Sequence, residues 1–245
     1  MQIQRFPMTK YKPEVGNLIK TILWDIDGTL LDFKAAEKAA IKNLFREYGL
    51  GECTDAMIGE YSSINDKYWK MLERNEITKD RVLIGRFEEF FSNRKIDISI
   101  AKEFNEKYQV RLGDTIVYRD DSYNLVKKLK DRVRQYAVSN GTVIAQTKKL
   151  KCSGFGELLD GVFLSEEIGA EKPNIYFFQK VFECIKLTAP EETLIVGDSL
   201  TSDILGGNNA GIKTCWYNPE GNKPGILCEI DYEIRNLWQI EGLIQ

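Results

Sequence analysis

The sequence predicts an α/β fold, a parallel sheet core with an inserted helical domain. Short apolar runs of strand length alternate with helical stretches in the second half of the chain, and one such run stands alone near the start. Between that first run and Thr115 no stretch reads as a buried strand, whereas several read as helices. Alternating strands and helices close most simply into parallel pairs joined by right-handed crossovers, with helices covering both sheet faces.

The expected strands are Thr21 to Trp24, Gln135 to Val138, Gly161 to Leu164, Thr193 to Val196 and Thr214 to Tyr217. Each is a near-continuous apolar run, the pattern of a strand covered on both sides. Helices are expected over Ser122 to Arg132, Thr142 to Lys151, Asn174 to Leu187 and Ser202 to Ala210. The insertion should carry helices over Lys34 to Tyr48, Thr54 to Arg74, Thr78 to Arg94 and Ser99 to Leu112, with Gly49-Leu50-Gly51 as a break. The core then comprises residues 1–33 and 113–245, the insertion residues 34–112, and the joints near Phe33 and Gly113 are candidate hinges.

Composition narrows the chemistry. The 245 residues are 43% hydrophobic, enough to bury one large or two smaller cores. A net charge of −3 gives no general footprint for nucleic acid. The chain has no histidine, which excludes Ser-His-Asp triads, histidine acid/base catalysis and histidine-ligated zinc. The cysteines at 53, 152, 184, 215 and 228 are scattered and lack a C-x-x-C pair, so neither a disulfide framework nor a zinc knuckle is expected. Met1 to Lys20 carries no apolar signal core and no later segment reads as a membrane span, so a soluble cytoplasmic protein with no membrane partner is expected.

Chemistry should begin at Asp25-Ile26-Asp27-Gly28-Thr29, where two carboxylates leave the end of the first strand. Residues two apart in an extended chain point to opposite sides, so a turn is needed to bring both to one site, and Gly28 makes it easy. Asp25 could attack phosphorus and form an aspartyl phosphate, while Asp27 protonates the leaving oxygen and then deprotonates water. An Asx turn or helix cap would suit the same five residues taken alone. Further along, Ser139-Asn140-Gly141 ends a strand and offers a hydroxyl and backbone donors for phosphate oxygens. Lys172, before Pro173, supplies a cation, and Gly197-Asp198-Ser199 with Asp203 supplies an acidic end suited to magnesium. A helix cap at Ser139 and a merely solvated Lys172 are the plain alternatives.

In this order the segments D-I-D-G-T-L (Asp25 to Leu30), V-S-N-G (Val138 to Gly141), E-K-P (Glu171 to Pro173) and G-D-S-L-T-S-D (Gly197 to Asp203) resemble the haloacid dehalogenase superfamily of phosphatases. The resemblance covers essentially the whole chain. It implies a Rossmann-like core with a cap domain, Asp25 as nucleophile, Asp27 as general acid/base, and Lys172 as the charge-balancing cation. It implies a phosphate-binding set of Ser139, Asn140, Gly28 and Thr29. Mg2+ would be held by Asp25, Asp198 and the Asp27 carbonyl, with Asp203 acting directly, through water or through Ser139.

A finer resemblance to the pyrimidine nucleotide 5′-phosphatase branch rests on Gly197 to Asn218, the cap segment Ile64 to Trp69 with the turn Asn75 to Thr78, and the tail Asp231 to Leu237. It implies hydrolysis of nucleoside 5′-monophosphates, a small phosphate ester being the partner; oligomeric state is not legible. Within the cap, Tyr61, Tyr68, Trp69, Phe87, Phe90 and Phe91 could include a stacking surface for a base, although Phe87, Phe90 and Phe91 have the spacing of a core stripe. Asn65 and Lys67 are polar contacts with no distinctive constellation around them. The alternatives are a sugar-phosphate or phosphoglycolate phosphatase, a phosphomutase, a 2-haloacid dehalogenase, and a catalytically inactive binding protein on the same fold.

Overall fold

The computed structural model describes residues 19–225 and 228–244. The reading of residues 1–18 as a polar start therefore lies outside the described residues.

Among the described residues six parallel strands form one sheet in the order β3-β2-β1-β4-β5-β6: β1 Thr21–Trp24, β2 Arg134–Ser139, β3 Gly161–Leu164, β4 Thr193–Gly197, β5 Lys213–Tyr217 and β6 Tyr232–Ile234. The sixth strand was not anticipated. With only three residues, and an exposed Glu233 between Tyr232 and Ile234, it lacks the apolar run that marked the others.

Alternation along β1 builds three layers. Ile22 and Trp24 pack on one side against Leu125, Val126 and Leu129 of α5 (Ser122–Leu129). Leu23 packs on the other side with Phe177, Phe178 and Val181 of α9 (Ile175–Ile185). The Trp24 indole donates to Gln135 Oε1 at 3.1 Å, and Gln135 Nε2 donates to the Val126 carbonyl at 2.9 Å, so the buried polar groups between the layers are paired.

The segment after β1 folds into α1 Phe33–Glu47, α2 Asp55–Glu73, α3 Lys79–Arg94 and, after a 3-10 turn, α4 Ala101–Arg111. Asp32, Thr54 and Thr78 each cap the next helix by accepting a backbone N–H. These helices enclose their own apolar cluster, in which Phe45, Tyr61, Phe87, Phe90, Phe91, Phe104 and Tyr108 are all buried. The rings of Phe91 and Phe104 meet edge to face at 5.0 Å, and those of Tyr61 and Phe87 stack at 4.9 Å. Phe87, Phe90 and Phe91 are thus core packing.

The remaining helices are α6 Val143–Ser153, the single turns α7 Phe155–Leu158 and α8 Ser165–Ile168, and α10 Leu205–Ala210. The helix expected from Ser202 begins as a π-helical turn, Leu200–Ile204, before α10. Such wide turns recur at functional sites. Among the described residues no helix is long and apolar enough to cross a membrane.

Candidate active site

Strand β1 leads to β2 on one side and lies beside β4 on the other, so the sheet order reverses between β1 and β4. Open α/β sheets leave a crevice beyond the carboxyl ends of the strands at such a switch point. Asp25 follows β1, Ser139 ends β2 and Asp198 follows β4, and all three line a cleft of about 770 Å3 between the sheet edge and helices α1 to α4.

Lys172 is the hub. Its buried ammonium donates to Asp25 Oδ1 at 2.9 Å, to Asp203 Oδ1 at 2.6 Å and to the Val138 carbonyl at 2.9 Å, which uses all three of its protons. Asn140 fixes the loop that carries it: Oδ1 accepts from Lys172 N at 2.8 Å and Nδ2 donates to the Lys172 carbonyl at 2.9 Å. Asp203 sits in the π-helical turn, where Oδ2 also accepts from Ser199 N at 3.1 Å. It pairs with Lys172 and Ser199, not with Ser139.

Asp25 has one committed oxygen and one free one. While Oδ1 meets Lys172, Oδ2 is buried and has no hydrogen-bond partner among the described residues. Burial pushes the Asp25 carboxyl up to about 7; Lys172 opposes that shift and Asp203 adds to it. Asp198 opens onto the cleft but is enclosed by protein on its other sides. Its carboxyl is held well above the ordinary range, first by burial and then by Asp25 and Asp203.

Asp25, Asp198 and Asp203 can each present a carboxylate oxygen within 4.8 Å of the others. Magnesium takes oxygen ligands and is commonly held by one or two carboxylates with waters and substrate phosphate, a role that carboxylates this close together could fill. Three carboxylates against one ammonium leave two negative charges uncompensated, the charge that a divalent cation cancels. The all-oxygen donor set fits magnesium.

Two members of the expected phosphate-binding set do other work. Thr29 is fully buried; its hydroxyl accepts from Asp198 N at 3.1 Å and points back at Asp198 Oδ1 at 3.4 Å, so it braces the metal-side loop and does not face the cleft. The Gly28 N–H donates to the Leu31 carbonyl at 2.9 Å and is spent. Glycine is needed there for another reason: at φ +98° a Cβ would lie 2.5 Å from Asp198 Oδ2. Ser139 lines the cleft, with its hydroxyl accepting from Gly141 N at 3.0 Å, and Asn140 lines it with its amide committed to the Lys172 loop.

Two residues were not foreseen. Gln146 Nε2 donates to Asp27 Oδ2 at 2.6 Å, and Lys149 Nζ meets Asp27 Oδ1 at 2.5 Å, so both oxygens of the proposed acid/base are held from α6. Their spacing of three places them on one helix face, directly after the Ser139-Asn140-Gly141 turn. Two long polar residues on the buried face of that helix were the available signal.

The cap side supplies a second polar group. Asn65 Oδ1 accepts from Arg86 Nη1 at 2.7 Å, Asn105 Oδ1 accepts from Arg86 Nη2 at 3.0 Å, and Gln109 Nε2 donates to Asn105 Oδ1 at 2.9 Å. Asn65 Nδ2 donates to Glu37 at 3.2 Å, and Ser62 also donates to Glu37. Asn65 therefore has the constellation that the sequence did not reveal. Lys67 points elsewhere, pairing with Glu89 at 2.5 Å on the surface.

Residues 22–217 match a family profile described as haloacid dehalogenase-like hydrolase. Pyrimidine 5′-nucleotidase PynA of Streptococcus pneumoniae is 36% identical over 218 residues, covering 88% of this chain and 90% of that protein. Pyrimidine 5′-nucleotidase YjjG of Escherichia coli is 27% identical over 222 residues, covering 88% of this chain and 96% of that one. The crystal structure of the Bacillus subtilis HAD-hydrolase YfnB bound to magnesium superposes with a TM-score of 0.87 at 33% identity, covering 94% of this chain and 100% of that one.

Proposed function

Because the chain belongs to the haloacid dehalogenase-like hydrolase family and is a phosphoric monoester hydrolase, we propose that it hydrolyses pyrimidine nucleoside 5′-monophosphates through an aspartyl phosphate on Asp25, with magnesium as cofactor. The observation that carries the mechanism is the unpartnered Asp25 Oδ2, buried at the cleft floor beside a carboxylate oxygen already held by Lys172. Residues 34–112 act as the cap that selects the substrate, above a core formed by the rest of the chain.

Asp25 Oδ2 attacks phosphorus, the bond to the nucleoside O5′ breaks, and Asp27 gives that oxygen its proton. The same Asp27, now a carboxylate, takes a proton from water as the water attacks phosphorus. Inorganic phosphate leaves and Asp25 is restored. Gln146 and Lys149 aim Asp27, while Lys172 keeps Asp25 and Asp203 in place without competing for Oδ2. Ser139 and the backbone of its turn receive the phosphoryl oxygens. Magnesium, held by Asp25, Asp198, Asp203 and the Asp27 carbonyl, would neutralise phosphoryl charge as it moves between oxygens.

The test is phosphate release from pyrimidine and purine nucleoside monophosphates, ribose 5-phosphate and phosphoglycolate, each with and without magnesium. The highest kcat/KM is expected for a pyrimidine monophosphate in magnesium. Preference for phosphoglycolate or a sugar phosphate would overturn the substrate, and turnover unaffected by chelation would overturn the cofactor.

A further inference from the structure

Across the cleft from the catalytic carboxylates, helices α2, α3 and α4 place Asn65, Arg86 and Gln109 in its wall. All three are recessed, each 5% exposed or less. Burying a guanidinium and two amides in a helical domain is costly, and an apolar replacement of the same shape is often at least as stable. Packing alone does not explain them.

Their hydrogen bonds are incomplete in a particular way. Arg86 uses one proton on each terminal nitrogen for Asn65 and Asn105, which leaves a second proton on each. Gln109 gives one amide proton to Asn105 and accepts from the Thr142 hydroxyl at 2.8 Å, which leaves a second amide proton and an oxygen lone pair. Glu37, behind Asn65, offsets the Arg86 charge, so the group as a whole suits a neutral polar ligand better than a second anion.

Trp69 and Phe33 supply flat faces. Both are half-buried and line the cleft, and Trp69 lies four residues after Asn65, on the same side of α2. The link to the chemistry is short: Gln109 bonds Thr142, which follows the Ser139-Asn140-Gly141 turn. We propose that Arg86, Asn65 and Gln109 read the carbonyl and amide edge of the substrate's base while Trp69 stacks on its face, which makes this cap cluster the determinant of nucleotide over plain sugar phosphate. The proposal rests on the nucleotidase reading above.

The ratio of kcat/KM for uridine 5′-monophosphate to that for ribose 5-phosphate isolates the base, since the two share phosphate and ribose. Arg86→Lys keeps the charge opposite Glu37 but loses the planar fork, Gln109→Met keeps the volume but loses the amide, and Trp69→Leu removes the flat face at a partly buried position while keeping an apolar side chain there. Each is expected to lower the ratio about tenfold or more, with the change for Trp69→Leu carried by KM. A ratio that stays within twofold of the unaltered protein in all three variants would overturn the assignment while leaving the nucleotidase reading intact. Selective loss of phosphoglycolate turnover in Arg86→Lys would overturn it in favour of an anion reader. If the unaltered protein itself shows no preference for the nucleotide, the nucleotidase reading fails and this inference with it.

Discussion

At the residue scale, the site is an arrangement of charge around one buried lysine. Lys172 spends its three protons on Asp25, Asp203 and a carbonyl, and what is left over is one unpartnered Asp25 oxygen and a surplus of negative charge. Removing the lysine leaves two carboxylates buried without their cation, so Lys172→Met is expected to destabilise the metal-free protein by about 3–5 kcal/mol in urea unfolding. Asp27→Asn keeps a group that can still meet Gln146 but removes the transferable proton; kcat is expected to fall by about 10² to 10⁴ with the fold intact by circular dichroism. That Asp25, Asp198 and Lys172 would come together was legible because each follows a strand end or precedes a proline in a fixed order, whereas Asp203 lies inside the turn after β4. Gln146 and Lys149 were not, because nothing local to a helix shows which of its polar residues will face a carboxylate more than a hundred residues away in sequence. Thr29 and Gly28 show the converse: proximity to Asp25 in sequence suggested phosphate contact, whereas the turn directs the Thr29 hydroxyl toward Asp198 and the Gly28 N–H toward Leu31.

At the element scale, near-continuous apolar runs of four residues located five of the six strands found among the described residues, since a strand covered by helices on both faces is apolar along most of its length. The sixth strand and the π-helical turn at Leu200–Ile204 escaped because neither has a period of its own. The turn exists to put Asp203 against Lys172 and the Ser199 N–H at once. In the cap, the spacing of Phe87, Phe90 and Phe91 correctly marked a core stripe, and the structure adds the partners, Phe104 from α4 and Tyr61 from α2. Phe87 is fully buried among them, so Phe87→Ala is expected to cost about 3–5 kcal/mol, visible as a lower thermal midpoint. The cap's polar chain from Glu37 to Gln109 was illegible: its five members come from three helices and a fourth, and only folding brings them to one place.

At the scale of the whole molecule, two apolar clusters sit on the faces of one sheet and a third fills the helical insertion, and the cleft lies where the sheet edge and the insertion meet. Polar links join the two sides. Gln109 accepts from Thr142, and Lys79 at the start of α3 donates to Ser165 Oγ at 2.9 Å. On the proposed reading, phosphate chemistry belongs to the sheet and substrate choice to the helices, so damage on one side should leave the other measurable. The central claim is that Asp25 Oδ2 forms the bond to phosphorus in a magnesium-dependent reaction. The most direct measurement is phosphate release from uridine 5′-monophosphate by the unaltered protein and by Asp25→Asn, each in magnesium and in excess chelator. Release is expected only from the unaltered protein in magnesium; full turnover by Asp25→Asn would rule out Asp25 as the nucleophile, and turnover in chelator equal to that in magnesium would rule out the metal.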